Sequence, residues 1–312
     1  MTFKPLIIAI VCIAASSAAG LDAQQVPDTM FVPRVAPPVY RIGTGPRVLI
    51  DGAHANFHKV GGRYMPFAQL ARRDGYRVSG GTTPFSDASL SAVDILVIAN
   101  ALAPRNDSGK WNLPTPSAFT REEIAAVRRF VERGGSLLVI ADHMPFGGST
   151  EALGSAFGVT WINGFAYDEK QNSIFRLSRA KGLAPHPIFD GRKGRGERID
   201  SIVVFTGSAF WLPGGGAPLL RIPERSRVLM PHVAWQFSDS TASVSAAGML
   251  QGAALLVGKG RVVAAGEAAM FSAQRSGPQG AGTMGFNEPT APQNAQFVLN
   301  VLHWLSGLLP AK

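Results

Sequence analysis

The sequence predicts an α/β protein built on a doubly wound, mostly parallel β-sheet, with an irregular and partly antiparallel insertion. Three apolar runs carry this prediction, RVLID at 47–51, DILVIA at 94–99 and SLLVIA at 136–141. Short apolar runs bounded by turn residues are typical of strands that are buried on both faces of a parallel sheet. Helical periodicity separates the runs, and alternating strands and helices favour a parallel sheet with right-handed crossovers.

The elements of the first half follow in order along the chain. Thr120 and Glu123 form a capping-box pattern ahead of an apolar face, and Gly134–Gly135 ends that helix. The other helices are predicted from the same 3.6-residue periodicity. The predicted elements are strand 47–51, helix 66–74, a strand from 76, strand 94–99, helix 120–133, strand 136–141, helix 150–157 and strand 159–162.

Residues 165–244 interrupt this alternation. They are rich in Gly, Pro and Arg, with short strand-like pieces at 201–205, 219–222 and 227–229, and we expect an elaboration of the same domain. Order returns with a β-hairpin and a terminal helix at 292–309. The predicted organisation is a signal peptide at 1–23, a Pro-rich extended leader at 24–46 and a single α/β domain at 47–309, elaborated at about 165–244.

The N-terminus has the features of a signal peptide. A short basic start precedes an apolar run at 5–15, and cleavage points follow Ala19 and Ala23. The run is shorter than the roughly 18–20 residues of a membrane-spanning helix. Cys12, the only cysteine, lies inside this segment, so the mature chain is expected to lack disulfides and thiol chemistry. We predict an exported bacterial protein, periplasmic or extracellular, without a membrane span after cleavage.

The net charge of +9 raises the question of a polyanionic partner. The densest basic cluster is Arg192, Lys193, Arg195 and Arg198, in a glycine-punctuated loop. No nucleic-acid motif surrounds it, so nucleic acid is not predicted as a partner. The cluster is interpreted as a solvated loop, with weak attraction to anionic envelope polymers as the alternative. The sequence also lacks a phosphate-binding glycine loop, a GxSxG nucleophile elbow and an HExxH zinc motif.

Polar residues of catalytic type follow three predicted strands. The carboxyl ends of parallel strands share one edge, where α/β proteins bind ligands. Acids and imidazoles that converge there suit a divalent metal or acid–base chemistry on water. The candidates are catalytic Asp142, His143 and Glu267, metal-binding Asp51, His54, His58 and Asp142, and ligand-binding Asn287 and Asn294.

Each candidate also has a structural alternative. An acid after a parallel strand often caps the helix that follows it, an imidazole can be buried with its hydrogen bonds satisfied, and Glu267 can pair with an arginine. His303 is interpreted as a packing residue of the last helix. His186 and His232, each beside a proline, are interpreted as loop residues.

The chain resembles the class I glutamine amidotransferase-like fold, a flavodoxin-like architecture. The resemblance is to an uncharacterised exported branch related to the GIFT domain of gliding-motility and intraflagellar-transport proteins. It rests on RVLIDGAH, FTREEIAAVRRFVERGGSLLVIADH, and GKGRVVAAGEAAMF followed by NAQFVLNVLHWL, over about 47–164 and 246–307. The resemblance implies that the catalytic cysteine position falls at or near Asp142 and the catalytic histidine position at Glu267. Glutamine hydrolysis by that mechanism is therefore not expected.

Two functions remain open from the sequence. The first is a binding protein that recognises a small molecule, a glycan or a partner at the carboxyl edge of the sheet, and the absence of nucleophile and base favours it. The second is a hydrolase that uses a metal- or acid-activated water, with Asp142 and His143 central. The density of ionisable groups at the strand ends favours this alternative.

Overall fold

The computed structural model describes residues 25–168 and 174–312. The predicted signal peptide and both cleavage points lie outside these residues. Within them, no helix is both long enough and apolar enough to cross a membrane. The predicted leader is largely extended, and its short strand pairs with a strand from the C-terminal part of the chain.

Five α-helices and seventeen β-strands make up the regular structure of the described residues. The helices are α1 (Met65–Arg73), α2 (Arg121–Glu132), α3 (Phe146–Ser155), α4 (Pro187–Asp190) and α5 (Asn294–Leu305). The strands are β1 (Val26–Pro27), β2 (Arg47–Asp51), β3 (Arg77–Gly81), β4 (Ile95–Ala99), β5 (Ser136–Ile140), β6 (Thr160–Trp161), β7 (Phe165–Tyr167), β8 (Phe175–Ser178), β9 (Ser201–Val204), β10 (Phe210–Trp211), β11 (Ala217–Arg221), β12 (Arg227–Met230), β13 (Ala242–Ser245), β14 (Leu250–Val257), β15 (Gly260–Ala265), β16 (Ala273–Ser276) and β17 (Gly282–Gly285).

A nine-stranded sheet organises the fold. Five strands run parallel in the order β3-β2-β4-β5-β15, and the antiparallel strands β14, β10 and β6 extend the sheet beyond β15. Strand β11 also pairs with β14. The chain moves outward from β2 to β3 and then returns to the other side of β2 as β4. This reversal of strand order creates a crevice at the carboxyl ends, where doubly wound folds bind ligands.

Two apolar cores cover the faces of the sheet. Strand residues alternate between the cores, so that Val97 joins one while Leu96 and Ile98 join the other. Helices α1 and α5 pack on the first face, and α2 and α3 pack on the second. Alternation with burial on both faces explains why the strands read as continuous apolar runs. The predicted fold class, a mainly parallel α/β sheet with antiparallel additions, is confirmed.

The insertion adds antiparallel structure at one end of the sheet. Strands β7, β12 and β13 form a three-stranded sheet in the order β13-β12-β7. Strands β8 and β9 form a separate antiparallel pair. Of the basic cluster in this region, Arg192 pairs with the fully buried Glu197, and Arg198 pairs with Asp200. Attraction of this basic cluster to anionic envelope polymers stays a prediction.

The predicted helix boundaries agree best with the structure where the sequence contains a capping motif. Thr120 accepts a hydrogen bond from the Glu123 backbone, and Glu123 accepts one from Thr120. Helix α3, in contrast, begins at Phe146, four residues before the predicted start. Its first turn contains two glycines, and a Cβ at Gly148 would lie 2.8 Å from the Asn163 amide nitrogen. Close packing has therefore overridden the low helix propensity of glycine.

Candidate functional site

The carboxyl edge of the parallel sheet collects the polar strand ends that the sequence singled out. Asp51 ends β2, Asn100 follows β4, Asp142 follows β5 and Glu267 follows β15. All four side chains are buried, with at most 6 % of their surface exposed. Buried polar groups need hydrogen-bond partners, so the partners decide what each group is free to do.

Asp51 and His54 belong to a buried network that ties the loop after β2 to helix α2. The His54 ring lies between two carboxylates, with Nδ1 2.9 Å from Asp51 Oδ2 and Nε2 2.8 Å from Glu123 Oε1. Asp51 also accepts a hydrogen bond from the Asn56 side chain at 2.9 Å. Burial disfavours the imidazolium, but hydrogen bonds and charges from Asp51 and Glu123 raise the pKa of His54 above 6.5. This network is fully bonded within the protein.

The His54 network predicts a pH-dependent contribution to stability. Because its pKa is raised on folding, the stabilisation is fully present below about pH 6.5 and is lost as the pH rises through the folded-state pKa. Urea unfolding of the native protein and His54→Gln between pH 5.5 and 8.5 measures it. The stability advantage of the native protein over the variant is expected to shrink as the pH rises. An advantage that stays constant across this range would contradict the assignment.

Asn100 connects three strand ends from a left-handed backbone conformation, with φ at 52°. Its Oδ1 accepts a hydrogen bond from the Asp142 backbone N–H at 3.0 Å, and its Nδ2 donates to His58 Nδ1 at 3.1 Å. Burial, with contributions from Arg63 and His143, lowers the pKa of His58 well below 6.5. His58 is therefore a neutral, hydrogen-bonded imidazole.

Asp142 and Glu267 lie close together, but their oxygens face backbone amides. Asp142 accepts hydrogen bonds from the N–H groups of His143 at 2.7 Å and Ala268 at 3.3 Å. Glu267 accepts from Ala269 at 2.5 Å and Met270 at 2.8 Å, and it caps the short 3₁₀ turn that follows β15. Burial, and then the charge of Asp142, raise the pKa of Glu267 well above 4.5. This environment favours the protonated form of Glu267.

One ring nitrogen of His143 is hydrogen-bonded within the protein. Its Nδ1 lies 2.6 Å from the Met144 carbonyl oxygen, so Nδ1 carries the proton that is donated to this acceptor. The ring stacks on Phe165 at 4.7 Å and meets the edge of the half-exposed Trp235 at 4.6 Å. Nε2 has no hydrogen-bond partner in the described part of the chain. Among the three predicted catalytic residues, the carboxyl oxygens of Asp142 and Glu267 accept hydrogen bonds from backbone amides. His143 Nε2 is the polar side-chain atom of this set that has no hydrogen bond within the described residues.

The four predicted metal ligands do not come together in one coordination group. Asp51 and His54 are adjacent, but His58 is bonded to Asn100 and Asp142 faces backbone amides. No three His, Cys, Asp or Glu side chains of residues 25–168 and 174–312 are arranged to hold a metal ion. Both ring nitrogens of His54 already contact carboxylates, those of Asp51 and Glu123. A bound metal stays a prediction from the sequence.

The remaining candidates bind other parts of the protein. Asn294 exchanges two hydrogen bonds with the Val203 backbone and so joins α5 to β9. Asn287 donates to Asp28 and to the Gln274 carbonyl. His303 hydrogen-bonds Asp74 between α5 and the end of α1, as expected of a packing residue. His186 is buried and accepts from the Ile188 backbone at the start of α4, so it caps a helix.

A cleft of about 850 Å³ opens at the same edge, beside the point where the strand order reverses. Its walls come from the loop after β2, the end of β3 and the segment that follows β4. Phe57 and Trp111 form an aromatic wall, with ring centroids 5.3 Å apart. Lys59 and Arg63 supply positive charge, and Asp107 lies among the lining residues. The Trp111 ring also lies 6.1 Å from the His143 ring.

The residues that line this cleft were not among the candidates predicted from the sequence. Those candidates were mainly acids and imidazoles that follow the strands, whereas aromatic, glycine and basic residues line much of the cleft. A signal was present, because the loop after the first strand of a doubly wound sheet borders the crevice. That loop carries Phe57, Lys59, Gly61, Gly62 and Arg63 in this chain.

The strand order and the edge crevice define an α/β protein of the doubly wound class. No family model matches the sequence, and no curated protein matches it. Among solved structures, the N-terminal domain of mmIFT52 has a TM-score of 0.55 and 13% identity, over 83% of this chain and 97% of that domain. This likeness shows the fold, and it agrees with the resemblance to GIFT domains.

Two further solved structures match this chain over nearly all of their own length. The cytoplasmic protein STM1381 from Salmonella typhimurium LT2 has a TM-score of 0.46 and 12% identity, over 83% of this chain and 99% of that one. A ThuA-like protein from Bacteroides uniformis has a TM-score of 0.44 and 11% identity, over 86% of this chain and 94% of that one.

Proposed function

We propose that this protein binds a small molecule in the cleft between Phe57 and Trp111. The supporting observation is the position of the cleft at the strand-order reversal, with an aromatic wall on one side. Pockets of roughly 300–1,000 Å³ that combine apolar walls with a few polar groups are typical ligand sites. The cleft has this character, and its volume of about 850 Å³ lies in that range.

Binding is favoured over hydrolysis because the acids at this edge are used to hold the backbone. Asp142 and Glu267 accept hydrogen bonds from the turns that follow β5 and β15. A carboxyl group in that role positions loops and is poorly placed to activate water. The hydrolytic alternative then depends on His143, whose Nδ1 faces a backbone carbonyl and whose Nε2 has no hydrogen-bond partner within the described residues. Export to the periplasm or beyond is part of the proposal and rests on the N-terminal sequence.

A cleft-filling variant tests the proposal. Gly62 lines the cleft, and a Cβ there would meet only the Lys59 carbonyl oxygen at an ordinary 3.7 Å. Gly62→Phe is therefore expected to fill the cleft while the fold is kept. A small-molecule library is screened by thermal shift, and hits are measured by calorimetry. At 100 times its Kd, a ligand adds about 2.7 kcal/mol to the stability of the native protein.

The expected result is a set of hits that bind the native protein stoichiometrically and lose at least tenfold in affinity in Gly62→Phe. The matched control is Leu256→Phe, at an exposed residue that lines a separate cavity. The control is expected to bind the same hits unchanged. Hits that bind Gly62→Phe as tightly as the native protein would place the ligand elsewhere and overturn the proposal.

A further inference from the structure

The two cationic side chains of the cleft, Lys59 and Arg63, differ in their exposure to solvent and in their contacts. Lys59 is exposed at the rim, where water solvates its ammonium group. Arg63 is partly buried in the wall, and its Nε is inaccessible to solvent and has no hydrogen-bond partner within the described residues. Its guanidinium forms no ion pair with an acid in that part of the chain. Burial lowers the pKa of Arg63, but an arginine stays charged at neutral pH.

The contacts that Arg63 does make hold it in place and leave its charge unmatched. The guanidinium carbon of Arg63 lies 3.8 Å from the centre of the Phe57 ring, and Arg63 Nη1 lies 3.4 Å from the Phe57 carbonyl oxygen. The Arg63 carbonyl accepts a hydrogen bond from Ser272 at 2.5 Å, which fixes the backbone just before α1. A cation–π contact orients the guanidinium but does not neutralise its charge. Arg63 is thus a preorganised cation that has no counter-ion among residues 25–168 and 174–312.

We infer that the ligand of this cleft is a small apolar anion whose carboxylate, sulfonate or phosphate group pairs with the Arg63 guanidinium. This inference rests on the proposed function, because it names the chemistry of the ligand in the same cleft. The apolar part of the ligand packs against Phe57 and Trp111, and Lys59 adds long-range attraction from the rim. Guanidinium groups form paired hydrogen bonds to such anions, so Arg63 sets the specificity for charge.

A pair of fluorescent probes that differ only by a sulfonate tests the inference. The anionic probe is 8-anilino-1-naphthalenesulfonate, and the neutral probe is N-phenyl-1-naphthylamine. Both are titrated into the native protein, Arg63→Met and Arg73→Met. Arg63→Met keeps the packing over Phe57 without the charge, and Arg73→Met removes an equal charge from the exposed end of α1. Gly62→Phe reports whether a probe occupies the cleft.

The expected result is a loss of at least tenfold in affinity for the anionic probe in Arg63→Met, with the neutral probe changed less than twofold. The Arg73→Met variant is expected to bind both probes like the native protein. Equal effects of Arg63→Met on both probes, or none on the anionic probe, would overturn the inference while cleft binding stands. If neither probe binds, or if Gly62→Phe leaves the binding of both probes unchanged, the result would count against the proposed function as well.

Discussion

Replacing Asp74 by alanine is expected to lower the free energy of unfolding by about 3–5 kcal/mol, because it breaks a buried polar pair. Asp74 Oδ2 lies 2.8 Å from His303 Nε2, and both side chains are at most 2 % exposed. Asp74 Oδ1 accepts a hydrogen bond from the Val39 backbone at 3.0 Å. The substitution would leave the buried His303 Nε2 without its hydrogen-bond partner and would remove the acceptor of the Val39 N–H. Urea unfolding followed by circular dichroism measures the loss.

An exposed acid provides the control for Asp74. Asp87 forms ion pairs with Arg129 and Arg133, and all three side chains are about half exposed. Because water screens such pairs and solvates the groups left behind, Asp87→Ala is expected to change stability little. Equal losses in the two variants would show that burial of the Asp74–His303 pair has no special role.

The second large effect is expected at Asn100, where alanine should lower the free energy of unfolding by about 2–4 kcal/mol. The side chain satisfies the Asp142 N–H and His58 Nδ1, both of which are buried. Alanine removes both hydrogen bonds and keeps the left-handed backbone, which is unfavourable for a residue with a Cβ. Denaturant unfolding gives the total loss.

Glycine at the same position separates the two causes. Asn100→Gly also removes the amide but adopts a positive φ without strain, so it should be about 1 kcal/mol more stable than Asn100→Ala. The remaining loss in the glycine variant measures the two hydrogen bonds. If both variants unfold like the native protein, then Asn100 does not organise this edge of the sheet.

The fold could be predicted from the sequence because its signals are local. The run 137–141 is apolar throughout, since strand β5 is buried on both faces of the sheet. Thr120 and Glu123 mark the start of α2, because a capping box is encoded within four residues. The start of α3 at Phe146 was not predictable in this way, since it depends on close packing of Gly148 against Asn163.

The candidate site was predictable in position and not in role. The sequence places Asp51, Asp142 and Glu267 at one edge, because parallel strands end there together. It does not tell that Asp142 and Glu267 bind backbone amides or that both nitrogens of His54 face carboxylates. Those roles depend on partners from distant parts of the chain. Residue type alone therefore made these side chains look more reactive than their surroundings allow.

By itself, the sequence determined the α/β class, the parallel strands and the edge at which polar residues gather. These follow from periodicity, capping and the rule that parallel strands share their carboxyl ends. Only the tertiary structure decided which of the polar groups are satisfied and which are left free. It placed Phe57 beside Trp111 to form the cleft and left the Arg63 guanidinium without an acid partner in the described chain. The physical reason is that hydrogen bonding and charge compensation depend on contacts between segments far apart in sequence.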